Sequence, residues 1–162
     1  MAGWWASTTS RPPCRARAMA NACAARCWPS PTPRAPAYAA LVGALRGSTV
    51  TAIAAHAERI DSAPVRYQGF ALRDEAGTLL ACGQMVVAGG LVGLYDIASA
   101  VPRQGHGERL CRALLALAHA QGARQAYLQV GSDNAVAQRL YARLGFRFAY
   151  RYHYRSPEAE LT

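Results

Sequence analysis

Lysine is absent: all 18 basic residues of this 162-residue chain are arginines. Arginine stays charged at any physiological pH and grips phosphate or carboxylate through two parallel hydrogen bonds. Acidic residues are scarce, nine in all, and none precedes Glu58. Residues 1–57 carry six arginines and no acid, whereas 58–162 carry twelve arginines against nine acids. Most of the net charge of +9 therefore sits in the first third, and the remainder is only mildly basic. One ligand bearing a few phosphates would match that excess. No strand or helix interleaves basic residues with stacking aromatics, so nucleic acid is not an expected partner of the folded part. No apolar run approaches the roughly 18 residues of a membrane helix, so no membrane partner is expected either. Cysteines are few and odd in number: 14, 23, 27, 82 and 111. They form no disulfide framework and no paired zinc-ligand spacing, so no metal is implied. A reducing compartment, the cytoplasm, fits that usage.

What is present is 52% apolar residues, enough for one packed domain. Residues 1–37 are rich in Arg, Pro, Ala and Ser and show no hydrophobic period. They read as a low-complexity, disordered extension. Their composition also resembles a transit peptide, and they could equally be the remnant of a larger upstream part; no apolar stretch suits a secretory signal. The domain is expected over 38–156, with a short tail over 157–162.

Periodicity predicts short helices over 39–45 and 50–60, then a strand over 65–73. Asp74-Glu75-Ala76-Gly77 is a turn signal, with a return strand over 78–88. Gly89-Gly90 turns the chain into a third strand, 91–98. A helix over 108–121 follows, striped by Leu110, Leu114, Leu117 and Ala118, with Gly122 as its stop. Strand 125–130, helix 135–144 and an aromatic strand over 146–154 complete a mixed α/β order. Cys82 and Cys111 fall in apolar segments and read as small buried hydrophobes.

Two local patterns carry chemistry. Gly105-His106-Gly107-Glu108-Arg109 opens an amphipathic helix after a strand. Free N–H groups and the helix dipole make such a turn a phosphate cradle. Further on, Asp133 and Asn134 offer N-cap oxygens to a helix presenting Ala137, Leu140, Tyr141 and Leu144 on one face before Gly145-Phe146. The pair, in this order, resembles the cofactor-binding core of the GNAT family of acetyl-CoA-dependent N-acetyltransferases, over about 65–154.

That resemblance implies a GNAT-like acyl-CoA N-acyltransferase fold, a mostly antiparallel central sheet flanked by helices. It implies acetyl-CoA as acyl donor and a primary amine, small molecule or peptide, as acceptor. The acetyl group would pass directly in a ternary complex, on a monomer or homodimer. The pyrophosphate would meet Arg103, Gln104, Gly105, His106, Gly107, Glu108 and Arg109. Pro102 stands where the family has Gln or Arg. Ile97 and Ala98 would also bind the cofactor, and a backbone N–H of strand 91–98 would polarise the thioester carbonyl. Asn134 would approach the cofactor, a role compatible with N-capping. Tyr141 would give its proton to the departing thiolate. It also suits a plain core position.

The amine must lose a proton, and Asp96, in Leu94-Tyr95-Asp96-Ile97, is the carboxylate placed to take it. Strict alternation puts it opposite Tyr95 and Ile97, and burial there would raise its pKa. A polar strand end is the plainer reading. The aromatic strand, with Tyr150, Tyr152, His153 and Tyr154, reads as sheet packing, a dimer edge or a substrate wall. A non-catalytic acyl-CoA-binding or interaction module remains the alternative to an enzyme, and a nucleic-acid protein acting through the arginine-rich start is a third class.

Overall fold

The computed structural model describes residues 2–7, 29–32 and 35–153, with backbone alone for 2–7 and 32. The chain order is β1 (Ala2–Ser7), β2 (Ser30–Thr32), α1 (Ala35–Arg46), α2 (Val50–Asp61), β3 (Gln68–Arg73), β4 (Leu79–Ala88) and β5 (Leu91–Ser99). Then come α3 (His106–Ala120), β6 (Gln125–Val130), α4 (Ala135–Arg143) and β7 (Arg147–Arg151). The mixed α/β order expected from periodicity is borne out, with boundaries moved by up to four residues. Where 1–37 read as an extension without elements, two stretches are strands and the first helix begins at Ala35. Cys14, Cys23, Cys27, Tyr154 and the 157–162 tail lie outside the described residues.

Among the described residues the sheet runs β2-β3-β4-β5-β6-β1-β7, seven strands. All neighbours are antiparallel except β5 and β6, which run parallel. The helix α3 is the crossover that a parallel pair requires. The strand β1 lies between β6 and β7, pairing Ala2–Ser7 with Val130–Gln125 on one side and Ala2–Trp5 with Arg151–Arg147 on the other.

The core lies on the α3 face. Leu110, Cys111, Leu114 and Ala118 pack against Phe70, Leu72, Ala81, Met85, Val92, Leu94, Ala126 and Leu128, with Tyr141 and Phe146 closing one end. Each fully buried Leu is worth about 1.5–3 kcal/mol. Gly83 lets α3 approach: a Cβ there would lie 2.5 Å from Ile97 Cδ1 and 3.2 Å from Leu110 Cδ2. A smaller cluster, Tyr38, Val42 and Cys82, seats α1 on the opposite face.

Two features of β5 position the site. Its parallel pairing with β6 covers only Leu91–Leu94 against Gln125–Leu128. Beyond that, β5 stays with β4 while β6 pairs with β1, so the two strands diverge. In the diverging part, Gln84 faces Tyr95 but Cys82 faces Ala98, so β5 carries one residue more than β4. That is a bulge. Asp96 absorbs it with φ +51°, a left-handed conformation that Asp tolerates better than most residues. The bulge overturns strict alternation: Ile97 turns toward α3, while Tyr95 meets Tyr67 and Tyr127.

Candidate active site

A cleft of about 820 Å³ opens where β5 and β6 part. One wall is Tyr95, Asp96 and Ile97; the other is Gln129, Val130 and Gly131 with Asn134, Ala137 and Tyr141 of α4. The helices α1 and α2 roof it with Arg46, His56 and Arg59. Among the expected site residues, Asp96, Ile97, Asn134 and Tyr141 therefore share one cavity.

The carboxylate of Asp96 does not stand alone. Arg46 Nη1 donates to Oδ1 at 3.1 Å, and His56 Nε2 lies 2.8 Å from Oδ2. The Tyr38 hydroxyl donates to the Asp96 carbonyl at 3.2 Å, pinning the bulged backbone. The Asp96 side chain is 24% exposed and that of His56 16%, so the pair is half-buried at the cleft wall. His56 Nδ1 has no hydrogen-bond partner among the described residues.

On the facing wall Tyr141 is 7% exposed, its ring edge-on to Phe146 at 6.0 Å. Its hydroxyl has no hydrogen-bond partner among the described residues. Burial, and then the nearby Cys111, push its pKa above the ordinary phenol range, so it holds its proton at any working pH. Asn134 is the N-cap of α4, its Oδ1 accepting from Ala137 N–H at 3.0 Å. Gln138 ties the preceding turn, donating to the Gly131 and Ser132 carbonyls at 3.0 Å each.

The glycine turn lies outside this cavity's lining, at the N-terminus of α3. Gly105 takes φ +75° and no side chain caps the helix, leaving first-turn N–H groups open to an anion. A Cβ on Gly107 would sit 3.0 Å from Ser99 Oγ. Arg103 has φ +65°. His106 is bonded to Gln104 at 3.0 Å. Glu108 pairs with Arg112 at 2.8 Å and with Arg143 of α4 at 3.1 Å, which locks the two helices together and holds its carboxyl below the usual range. The side chain of Ala98 packs against the Tyr38 cluster.

Cys82 and Cys111 are fully buried, as expected. Burial pushes their thiols up to about 11 and about 12. Phe148 and Tyr150 of β7 are exposed, the Tyr150 and Tyr152 rings meet at a tilt of 51°, and none of the three lines the cleft. Among the described residues no group of His, Cys, Asp and Glu is placed to hold a metal, and no helix is long and apolar enough to cross a membrane.

Sequence reading missed Arg46 and His56. They sit some 40–50 residues from Asp96, and only the packing of α1 and α2 brings them to it. It also missed Gln84, although a lone polar residue inside an apolar strand was a visible signal. The tyrosines Tyr67, Tyr95 and Tyr127 form an edge-to-face row beside the cleft, with the Tyr95 and Tyr127 hydroxyls hydrogen-bonded. Gly93 makes room for them, since a Cβ there would lie 2.7 Å from both rings.

The fold has counterparts among known proteins. Residues 81–155 match the family described as "Probable histone acetyltransferase Rv0428c C-terminal". A GNAT-family protein from Novosphingobium aromaticivorans superposes with a TM-score of 0.59 at 21% identity, covering 92% of this chain; the chain spans 60% of that protein's length. The aminoglycoside N-acetyltransferase AAC(6')-Iy, solved with CoA, gives 0.57 at 20% identity over 74% of this chain and 86% of its own. The ribosomal-protein-S18-alanine N-acetyltransferase of Escherichia coli gives 0.50 at 30% identity over 57% of this chain and 62% of its own. No curated protein matches the chain in sequence.

Proposed function

We propose, from the GNAT acyl-CoA N-acyltransferase fold of this chain, that it transfers an acetyl group from acetyl-CoA to a primary amine, by direct attack in a ternary complex. One observation carries the reading. The cleft between β5 and β6 places the Asp96–His56 pair on one wall and the unpartnered hydroxyl of Tyr141 on another. An acyl transfer to nitrogen needs a proton taken from the amine and one given to the leaving sulfur.

The chain's own groups fit acetyl-CoA as a substrate. The uncapped N-terminus of α3, with Gly105 and Gly107, offers backbone N–H groups to the pyrophosphate, and Arg103 and Arg109 lie in the same turn. The diverging strands leave a slot bordered by Ile97 and Asn134 that would take the pantetheine arm, and Ala98, whose side chain packs on the Tyr38 cluster, would meet it through its backbone alone. In the bulge the backbone of β5 is freed from its ladder with β6, so an N–H there can polarise the thioester carbonyl.

The proton inventory then follows. The amine nitrogen attacks the carbonyl carbon, and the carbon–sulfur bond breaks. His56, oriented through Nε2 by Asp96, takes the amine proton on Nδ1, and Arg46 steadies the carboxylate. Tyr141 gives its phenolic proton to the sulfur and is reprotonated from solvent. Cys82 and Cys111 do not compete, because their thiols are buried and protonated. No acyl-enzyme on either is required.

The test is acetyl-CoA turnover by the full chain across a panel of alkylamines, amino acids, aminoglycosides and peptides. Turnover with at least one class is expected. In His56→Gln and Asp96→Asn, kcat/KM should fall by about 10²-fold. CoA binding without turnover of any amine would instead favour a non-catalytic acyl-CoA-binding module.

A further inference from the structure

The cleft continues into a second cavity of about 1060 Å³ that runs over β3 beneath the α1 and α2 ends. Its walls mix apolar and aromatic side chains, among them Pro31, Pro64, Tyr67 and Phe70, with the polar Asp61, Arg66 and Gln68. The two cavities share Ile60, Tyr67 and Gln84. Gln84 lies on β4, flanked by Gly69 of β3, which lines the second cavity, and by Tyr95 of β5, which lines the first. It is therefore the floor where the two meet.

Gln84 is 2% exposed and, tyrosines aside, is the one buried polar side chain among the described residues. Its carboxamide has no hydrogen-bond partner there. An unmet buried amide costs about 1–3 kcal/mol. An apolar side chain of the same size would suit this strand better unless the amide has a ligand to meet. A primary carboxamide presents an acceptor oxygen beside an NH₂ donor. A bare ammonium satisfies only the oxygen, and a carboxylate only the NH₂. A peptide bond, with its own N–H and C=O, answers both.

We infer that Gln84 is an acceptor-recognition residue: it hydrogen-bonds the amide next to the reacting amine, so the acceptor is a peptide N-terminus rather than a simple alkylamine. This rests on the acetyl-transfer reading. The amine then reaches His56 and Asp96 in the first cavity, the first peptide bond lies on Gln84, and the following residues run along the proline- and aromatic-lined second cavity.

The experiment compares the full chain with Gln84→Met, which keeps length and shape but neither accepts nor donates at that point, and with Gln84→Glu, which keeps the acceptor and removes the donor. The probes are a pool of pentapeptides with free N-termini and n-butylamine. In the parent, kcat/KM for the peptides should exceed that for butylamine by tenfold or more. Gln84→Met should cut that ratio by about tenfold through KM for the peptides, with a melting temperature equal to the parent's or higher, and Gln84→Glu should cut it as well. An unchanged ratio in both variants, or a parent that prefers butylamine, overturns the assignment. Titration of the peptide pool into the chain with CoA, followed by NMR, reads Gln84 without turnover. If no amine is acetylated, binding that Gln84→Met weakens still supports the assignment while the acetyl-transfer reading fails. No binding in the parent overturns it.

Discussion

Replacing Tyr141 with Phe removes one oxygen and leaves the ring where it is. That ring is 7% exposed and packs edge-on against Phe146 at 6.0 Å, contacts that Phe keeps. The lost hydroxyl is buried and has no partner among the described residues. Removing it therefore breaks no hydrogen bond and relieves a desolvation cost of the order of 1–3 kcal/mol. The melting temperature of Tyr141→Phe should equal or exceed the parent's. Turnover should move the other way. If the phenol gives its proton to the departing thiolate, its loss should lower kcat by about 10²-fold, or roughly 2.7 kcal/mol of barrier. The assay measures kcat at saturating acetyl-CoA and amine, thermal unfolding, and CoA affinity by calorimetry, all on one preparation. A variant with undiminished kcat per folded molecule would refute the acid role. A variant that loses stability in step with activity would make Tyr141 a packing residue only.

Other outcomes follow from the same geometry. Gly105→Asp puts a charged side chain on a residue at φ +75° where the open N–H groups point, and Gly107→Asp adds a Cβ 3.0 Å from Ser99 Oγ; CoA binding should be lost in both, and binding at parental affinity would remove the loop from the site. Deleting residues 1–8 removes β1 from between β6 and β7 and leaves β7 without a paired strand, so unfolding should come at a clearly lower urea concentration; an unchanged midpoint would show that β7 holds without it. The thiols of Cys82 and Cys111 lie above the ordinary 9.0, at about 11 and about 12, so above pH 9 the unfolded chain binds fewer protons than the folded one. The thiols' contribution should thus be constant from pH 7 to pH 9 and decline above it, by roughly 1.4 kcal/mol per pH unit for each thiol, and Cys111→Ala should shallow that slope; a urea midpoint constant from pH 7 to pH 10.5 would contradict it.

Whatever depends on neighbours along the chain was legible in the sequence. The Gly105-x-Gly107 turn before an apolar stripe, the Asn134 cap and the face bearing Leu140 and Tyr141 are set within one or two helical turns, and all appear as read. So do the turn at Gly77 and the limits of β6. Tertiary packing decided the rest. Whether Asp96 stood alone depended on α1 and α2 folding back across the sheet to bring Arg46 and His56 to its carboxylate. The side it faces depended on one extra residue in β5, and a bulge is defined only against the partner strand. The place of Ala2–Ser7 is a pairing with strands more than a hundred residues away, and a strand's neighbours are not written in its own periodicity. Gln84 was visible as a polar residue among apolar ones, but its unmet amide acquires chemical meaning only because two cavities meet above it.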